Sequence, residues 1–450
     1  MNNERYRNNP LLSNEGHFMS TLYASGRSEE PFHKRLHEIC FTTNLEYDNL
    51  LLPYDIEALI AHGEMLGECG LISPSDSQTI VSTLHDMLAD AHAGILAMSA
   101  EWEDCHSLIE AELIERCGDA GKRLYMGRSR NDQVVSALRL YGRTKITSIV
   151  SQLKELMNAL LAFSKKYEMI PMPGYTHTQR AMPSSVGMWA SSFLEVLLNQ
   201  KATIDAAYAL NDVNVFGSAA GFGTAFALDR EAVTKKLRVG RTQINALSCQ
   251  LSRGQVECQT LQAFWGVMFV LNRFAHDMVW MTSREFDFLD VGQCCTTGSS
   301  IMPNKRNLDP AEIIRARYHV FTGYLSQAQS VISNLFSGYN SDYQESKPVF
   351  LEGLDLVSDS IEAMTIVINH TGVKEEQLRA AFSPEIFSTD TANRAVLEGM
   401  TFRDAYREIK ANLGSVAAED PEENIRNKTH LGAPGNLRLD LLEKRLTEWS

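Results

Sequence analysis

The chain has 450 residues, of which 44% are hydrophobic and 22% are charged. This length exceeds that of an ordinary single core, so two or three domains are expected, and the composition is typical of a globular protein. The formal net charge of −14 argues against a dedicated nucleic-acid-binding protein, which would carry a basic face. A local basic pocket for a small anionic ligand is compatible with that charge.

The apolar segments are too short for a membrane protein. The longest, Ala263 to Leu271, is less than half of the roughly 20 residues that a spanning helix needs, and it predicts a buried helix instead. The polar start, Met1 to Gly16, lacks a signal-peptide pattern. No membrane association and a cytoplasmic location are therefore predicted. The eight cysteines are accordingly expected to be reduced and mostly buried, and adjacent Cys294 and Cys295 are expected to be poorly placed to share one metal ion.

Proline placement predicts the helices. Residues up to about 128 are expected to form shorter helices, with breaks near Pro53 and Pro74. Proline is then absent from Ser75 to Ile170 and from Ser184 to Met302, which favours long helices because proline breaks helix interiors and marks turns. From Ile146 to Leu160 the apolar residues recur every three to four positions, as on one face of a helix.

Further long helices are predicted at about 184–210, 252–285 and 310–336, and from Pro348 to about 369. Helices of about 20–34 residues span about 30–50 Å, and such helices usually bury their apolar faces in a bundle, often one shared between subunits. Beyond about 370 the chain is more polar. The predicted fold is all-α with three helical domains: an N-terminal domain (1–128), a central long-helix bundle (129–369) and a small C-terminal domain (370–450).

Nucleotide-binding motifs are not matched. Gly118 to Lys122 lacks the spacing of a P-loop, and Gly217 to Gly223 follows no strand pattern, so it predicts a tight loop. The segment Gly298 to Asn307 is more informative, because it places small residues and hydroxyls beside Lys305 and Asn307 at the start of a helix. These groups are suited to binding a substrate carboxylate on which negative charge develops during a reaction. A glycine-serine linker before a solvated basic helix start would account for the same residues.

Three other polar segments are candidates for a site, and each has a structural alternative. The first segment contains Ser129, Arg130 and Asn131, whose side chains are suited to binding a carboxylate. The same residues would also form a charged helix cap. Thr176 and His177 lie in a predicted turn, where His177 is either catalytic or structural. The stretch from Tyr339 to Lys347, with Gln344, lies before Pro348 and would by itself be a polar loop.

These segments together resemble a known family. Residues 298–307 match the signature loop Gly-Ser-Ser-x-Met-Pro-x-Lys-x-Asn of the fumarase/aspartase superfamily at every specified position. Residues 127–134 and 339–347 are similar to motifs of its argininosuccinate lyase branch, and residues 173–180 contain an element similar to that family's Tyr-Thr-His-x-Gln-Arg. The resemblance extends from about residue 40 to residue 410.

The resemblance implies an anti elimination that releases fumarate from an N-succinyl substrate, with no metal or organic cofactor. It implies that Ser299 takes the proton from carbon, that His177 assists the leaving nitrogen, and that Lys305 stabilises the carbanion. It also implies a homotetramer that completes the bundle and has composite active sites. The residues it assigns to substrate binding are Asn44, Ser129, Arg130, Asn131, Thr176, Asn307, Tyr339, Gln344 and Lys347.

Four departures from the family pattern keep the substrate open. Tyr23 to Ser28 replaces the usual opening element, Asn44 takes the place of a serine, Ala137 the place of an aspartate, and Leu308 the place of a proline. Three hypotheses therefore stand: an argininosuccinate lyase, a lyase for another N-succinyl compound, and a non-catalytic protein on the same scaffold, as in the lens crystallins of this family.

Overall fold

The computed structural model describes residues 45–99 and 102–449. Over these residues the fold is dominated by helices, as predicted. The helices are α1 (Leu45–Glu68), α2 (Pro74–His92), α3 (Cys105–Cys117), α4 (Asp119–Arg123), α5 (Arg130–Lys166), α6 (Val186–Leu198), α7 (Lys201–Asn211), α8 (Arg230–Lys236), α9 (Ala246–Leu251), α10 (Gln255–Met281), α11 (Asp309–Val331), α12 (Ser346–Asn369), α13 (Glu375–Ala380), α14 (Ser388–Leu397), α15 (Phe402–Ala411), α16 (Pro421–Arg426) and α17 (Leu439–Thr447).

The strands are short and form two-stranded pairs. In chain order they are β1 (Pro171–Thr176), β2 (Gln179–Ser185), β3 (Val213–Asn214), β4 (Arg241–Thr242), β5 (Leu289–Val291) and β6 (Thr371–Val373). β1 pairs with β2, β3 with β4, and β5 with β6. Within the described residues, four short 3-10 helices connect larger elements, and the two that matter below are Gln293–Cys295 and Ser341–Glu345.

The chain divides into two compact units. The first unit contains the described residues up to Leu138 together with Asn214–Gln250, and the second contains Arg139–Val213 and Leu251–Ser450. The predicted boundaries at 128 and 369 stay a prediction.

In the first unit, α1, α2 and α3 pack against one another. Pro74 begins α2 as predicted, and the hydroxyl of Ser73 caps that helix by accepting a hydrogen bond from the backbone N–H of Asp76. The break predicted near Pro53 is wrong, because α1 continues through it. Leu52 and Ile56 on either side are almost fully buried. Their burial offsets the cost of a proline in a helix interior, about 3 kcal/mol.

In the second unit, α10, α11 and α12 form the main bundle, and α6 and α7 pack on α10. Its core includes Phe264 and Leu271 of α10, Phe321 of α11 and Phe350 of α12. The predicted burial of 263–271 is therefore confirmed for most of the segment, whereas Phe269 is exposed.

The long-helix predictions agree closely with α10, α11 and α12, and 146–160 lies within α5. The single helix predicted at 184–210 is wrong in detail. A turn at Asn199 and Gln200 divides it into the two helices α6 and α7. Among the helices of residues 45–99 and 102–449, none has the length and apolar character that a membrane span requires.

Candidate functional site

The signature loop is closed at its base by a pair of backbone hydrogen bonds. Thr297 and Asn307 each donate their N–H to the other's carbonyl, at 3.0 and 2.9 Å. Two arginines fasten the loop to its surroundings: Arg306, within the loop, donates to the carbonyl of Val291 at 2.8 Å, and Arg284, outside it, donates to that of Asn304 at 3.0 Å. The loop is therefore a projecting segment with a fixed base.

Ser299 lies in a part of this loop that can support negative charge. Its Oγ accepts hydrogen bonds from the backbone N–H groups of Met302, at 3.2 Å, and Ile301, at 3.4 Å. The side chain is half-buried, whereas residues 300–306 are exposed. Two N–H donors aimed at one hydroxyl oxygen are what stabilises an alkoxide. The arrangement suits a serine that accepts a proton.

Lys305 and Asn307 lie in the same loop as Ser299. Lys305 is exposed and Asn307 is half-buried. The side-chain amide of Asn307 donates to the hydroxyl of Thr297 at 3.4 Å, which orients it at the base of the loop. The signature loop therefore carries a cation and an oriented amide within eight positions of Ser299 along the chain.

His177 lies at the tip of the hairpin formed by β1 and β2. Thr176 pairs with Gln179, so that His177 and Thr178 form a two-residue turn, and both have positive φ angles, 54° and 61°. Such a turn favours glycine or asparagine, and strained non-glycine residues are often functional. Thr176 and His177 are exposed. The prediction that His177 lies in a turn is confirmed.

The hairpin and the signature loop both contact one short segment of the second unit. The ring of Tyr175, beside Thr176, lies 5.6 Å from that of Phe286. Arg284, two residues earlier, binds the loop carbonyl of Asn304. The segment 284–286 is therefore a common support for the two elements that carry His177 and Ser299.

The segment 339–347 forms a hydrogen-bonded group of its own. The amide of Gln344 donates to the hydroxyl of Tyr339 at 3.3 Å. The guanidinium of Arg253 lies over the rings of Tyr339 and Tyr343, at 5.1 and 5.4 Å from their centroids. Lys347 is buried in the first turn of α12. Arg253 was not predicted; it is fully buried, and a lone arginine before a glycine gives no signal in the sequence.

In the first unit, the residues predicted at 129–131 lie at the start of α5 and are half-buried. The guanidinium of Arg130 is already paired, with Asp104 at 2.9 Å and Glu103 at 3.2 Å. The structure thus joins the start of α5 to a segment that lies 26 residues earlier in the chain. Asn44 lies outside the described residues, as does the opening element 23–28.

Asp132, which the sequence did not single out, organises this region. One of its carboxylate oxygens accepts from the N–H of Ser129, and the other accepts from those of Gly217 and Ala219, at 2.8–2.9 Å. Burial raises the pKa of Asp132 to about 7, although these N–H groups and the Arg128 guanidinium oppose the rise. The predicted tight loop at 217–223 is confirmed, and two of its backbone N–H groups donate hydrogen bonds to the Asp132 carboxylate.

A second buried network of hydrogen bonds connects α1, α3 and α5. His106 Nδ1 is 2.6 Å from a carboxylate oxygen of Asp55, and the amide of Gln133 donates to the same carboxylate at 3.1 Å. Burial opposes protonation of His106, but the Asp55 carboxylate outweighs it and raises the pKa of the imidazole. Asp55 of α1, His106 of α3 and Gln133 of α5 thus satisfy one another's hydrogen bonds.

Two groups of side chains in the described residues could hold a metal ion. The first is the buried set Asp55, Cys105 and His106, which is already joined by hydrogen bonds. The second is Cys294, Cys295 and His370, whose ligand atoms lie within 4.8 Å of one another. The prediction that the two adjacent thiols are poorly placed to share a metal is wrong, because the 3-10 helix Gln293–Cys295 brings their sulfurs to 3.8 Å.

Comparison with solved structures gives the class of the fold. EDDS lyase in complex with formate superimposes with a TM-score of 0.76 at 20% identity, over 89% of this chain and 87% of that one. A class II fumarase from Schistosoma mansoni superimposes with a TM-score of 0.69 at 16% identity, over 84% and 91%. The fold, with its signature loop, is that of the fumarase/aspartase superfamily of lyases.

Comparison of sequences gives the family. The model of the Lyase family matches residues 35–323. Argininosuccinate lyase from Sorangium cellulosum is 41% identical over 401 residues, 89% of this chain and 93% of that protein. The proteins of the same name from Xanthomonas campestris and Bacteroides fragilis are each 36% identical, over 88% and 87% of this chain and 92% and 87% of theirs. The chain belongs to the argininosuccinate lyase family and is a carbon–nitrogen lyase.

Proposed function

We propose that this chain cleaves argininosuccinate to arginine and fumarate. The observation that carries the proposal is the geometry of the signature loop. In this loop the Oγ of Ser299 accepts hydrogen bonds from two backbone N–H groups, and the same loop contains Lys305 and Asn307. The family membership supplies the substrate, and the motif Tyr339, Gln344 and Lys347 supports the same branch.

In the proposed reaction, Ser299 removes a proton from the carbon beside a carboxylate of the succinyl group. The hydroxyl must be ionised to act as a base, and the N–H groups of Ile301 and Met302 would stabilise the alkoxide. The electron pair left on carbon is delocalised into the adjacent carboxylate. Lys305 and Asn307 would then neutralise the added charge, and such preorganised donors contribute about 2.7–4 kcal/mol each to transition-state stabilisation.

The carbon–nitrogen bond breaks as the electron pair forms the double bond of fumarate, and the leaving nitrogen takes up a proton. His177 is proposed to assist this proton transfer, a contribution of roughly 10²–10⁴-fold in rate. Its exposure at a two-residue turn suits a group that must reach a bound substrate.

The remaining residues are proposed to bind the carboxylates and the guanidinium-bearing half of the substrate. They are Asn44, Ser129, Arg130, Asn131, Thr176, Tyr339, Gln344 and Lys347. The ion pairs of Arg130 with Asp104 and Glu103 would orient its guanidinium for this contact. The active form is proposed to be a homotetramer with composite sites, in which Asn131, His177 and Ser299 come from different subunits.

A second candidate is a lyase for another N-succinyl compound. It rests on Asn44 and on Ala137, an alanine in place of the usual aspartate, which is fully buried on α5. The burial also accounts for Ala137 as a packing residue.

Fumarate absorbance on mixing the purified chain with argininosuccinate distinguishes the two candidates. We expect kcat/KM of at least about 10⁴ M⁻¹s⁻¹, the low end of the range for enzymes on their own substrates. A value a hundredfold lower, raised by Asn44→Ser, would favour the second candidate. Absence of turnover with every N-succinyl amine tested would leave the non-catalytic scaffold.

A further inference from the structure

Two thiols and an imidazole form a compact cluster outside the proposed lyase machinery. Cys294 and Cys295 lie in the 3-10 helix that follows β5, and His370 lies at the end of α12, just before β6. β5 and β6 are antiparallel partners, and the N–H of Gly292 donates to the carbonyl of His370 at 2.8 Å. The backbone therefore fixes the separation of the two segments independently of the side chains.

The distance between the thiols fits one metal ion. The sulfurs of Cys294 and Cys295 are 3.8 Å apart, and two zinc–sulfur bonds of about 2.3 Å at a tetrahedral angle place their sulfurs about 3.8 Å apart. A ligand nitrogen of His370 lies within 4.8 Å of both. Small adjustments of the three side chains would bring all of them to bonding distance.

The histidine is already held in the manner of a metal ligand. Its Nδ1 lies 2.8 Å from the carbonyl oxygen of Ile366, and because a carbonyl only accepts, Nδ1 carries the proton. The neutral ring then keeps its free electron pair on Nε2. A hydrogen bond from one ring nitrogen to a backbone carbonyl is the usual support for a ligating imidazole.

The cluster is also accessible. Cys294 and His370 are exposed, and Cys295 is buried beside them. An ion could therefore enter from solvent, and three protein ligands would leave a fourth position for water.

We propose that Cys294, Cys295 and His370 form a site for a thiophilic divalent cation of the zinc type, independent of the lyase reaction. The bound ion would connect the end of α12 to the segment that leads into the signature loop, since Thr297, at the base of that loop, lies two residues after Cys295.

Titration of the full-length chain with Co²⁺ tests the site, after reduction with a phosphine and removal of the reductant under nitrogen. We expect one equivalent to give the thiolate-to-cobalt charge-transfer absorption of a tetrahedral site, and Zn²⁺ to displace it. Cys294→Ser and His370→Gln should each weaken Zn²⁺ binding by at least about 100-fold, beyond the 10–100-fold typical of losing a supporting contact. Cys69→Ser, which removes another exposed free thiol, should leave binding unchanged.

A second measurement needs no variant, and so covers the case in which a substitution disturbs folding. In the wild-type chain, Zn²⁺ should protect Cys294 from a thiol-alkylating reagent while Cys69 stays reactive, as read by mass spectrometry. The proposal is overturned if no thiolate–cobalt absorption develops, if it persists undiminished in both variants, or if Zn²⁺ protects neither Cys294 nor Cys295.

Discussion

At the scale of single residues, the chemistry depends on how a few polar atoms are surrounded. The Oγ of Ser299 accepts hydrogen bonds from two backbone N–H groups, whereas the neighbouring Ser300 is an exposed residue. The two hydroxyls are adjacent in the sequence but differ in their surroundings. The difference makes the role of Ser299 open to a direct test.

Replacement of Ser299 by alanine is expected to lower kcat by at least about 100-fold, because loss of a general base costs at least that much. The fold should survive, since the loop is mostly exposed. Steady-state kinetics with circular dichroism would measure both effects. Ser300→Ala is the matched control and should retain most of the activity. If Ser299→Ala kept more than about a tenth of the rate, the base would have to be another group.

A buried histidine in the first unit should make stability depend on pH. His62 has no exposed surface, and its Nε2–H donates to the carbonyl of Met126 at 2.8 Å. Burial lowers the pKa of His62 from 6.5 to about 3, against the effect of the Met126 carbonyl, and Arg128 adds to the lowering. The folded state therefore holds the neutral ring, while the unfolded chain takes up a proton below about pH 6.5.

The sign follows from this difference in proton uptake. The contribution of His62 to stability is complete above pH 6.5 and is lost as pH falls toward the folded pKa, by up to about 1.4 kcal/mol per pH unit. Urea unfolding between pH 7 and pH 4 measures it. Measured relative to the wild-type chain, His62→Gln, which keeps a donor without titrating, should remove this part of the slope, while His85→Gln on the exposed face of α2 should leave the slope unchanged. An unchanged slope in His62→Gln would contradict the assignment.

At the scale of elements, the start of α10 shows how closely the bundle of the second unit is packed. Gly254 caps this helix with a φ of 76°, a backbone conformation that glycine adopts without strain. A Cβ at this position would lie 2.4 Å from a methyl carbon of Ile332 and 3.4 Å from the ring of Tyr343. The glycine thus allows α10 to begin against the end of α11 and beside the Tyr339 segment.

Gly254→Ala is therefore expected to destabilise the protein by more than backbone strain alone. The strain of a non-glycine residue at positive φ costs about 1–2 kcal/mol, and overpacking typically adds about 1–3 kcal/mol. Gly94→Ala isolates the strain, because Gly94 has a φ of 70° and an added Cβ would meet nothing within 4 Å. Equal losses of unfolding free energy in the two variants would show that Ile332 moves aside without cost.

At the scale of the whole molecule, the long helices leave large apolar side chains exposed on one chain. Phe269 and Trp280 of α10, Val320 of α11 and Ile366 of α12 are each more than a third exposed. Exposed apolar residues along several long helices are typical of surfaces that pair with other subunits. They support the proposed homotetramer.

Mixing two inactive variants tests both the tetramer and its composite sites. Ser299→Ala and His177→Asn chains, refolded together, should recover partial activity, because some mixed sites receive neither substitution. Ser299→Ala mixed with Lys305→Ala is the control: both residues lie in the same loop, so every site would carry one substitution and none should recover. A monomer by light scattering, or no recovery in mixed tetramers, would rule out the proposed assembly.

The sequence by itself determined the helical class, the positions of α10, α11 and α12, and the signature loop. Helical periodicity, proline spacing and the loop motif are properties of neighbouring residues, so they can be read along the chain. The same local view failed at Pro53, where burial of the surrounding helix outweighed the usual effect of proline.

Only the tertiary structure decided which distant residues meet. It joined Asp132 to the loop at Gly217, Arg253 to Tyr339, and His370 to Cys294 and Cys295. Such pairs depend on how helices and strands pack, and the burial that gives Asp132 its raised pKa exists only in the folded chain. A residue's type shows what it can do chemically, but its partners are set by packing between segments that the sequence keeps far apart.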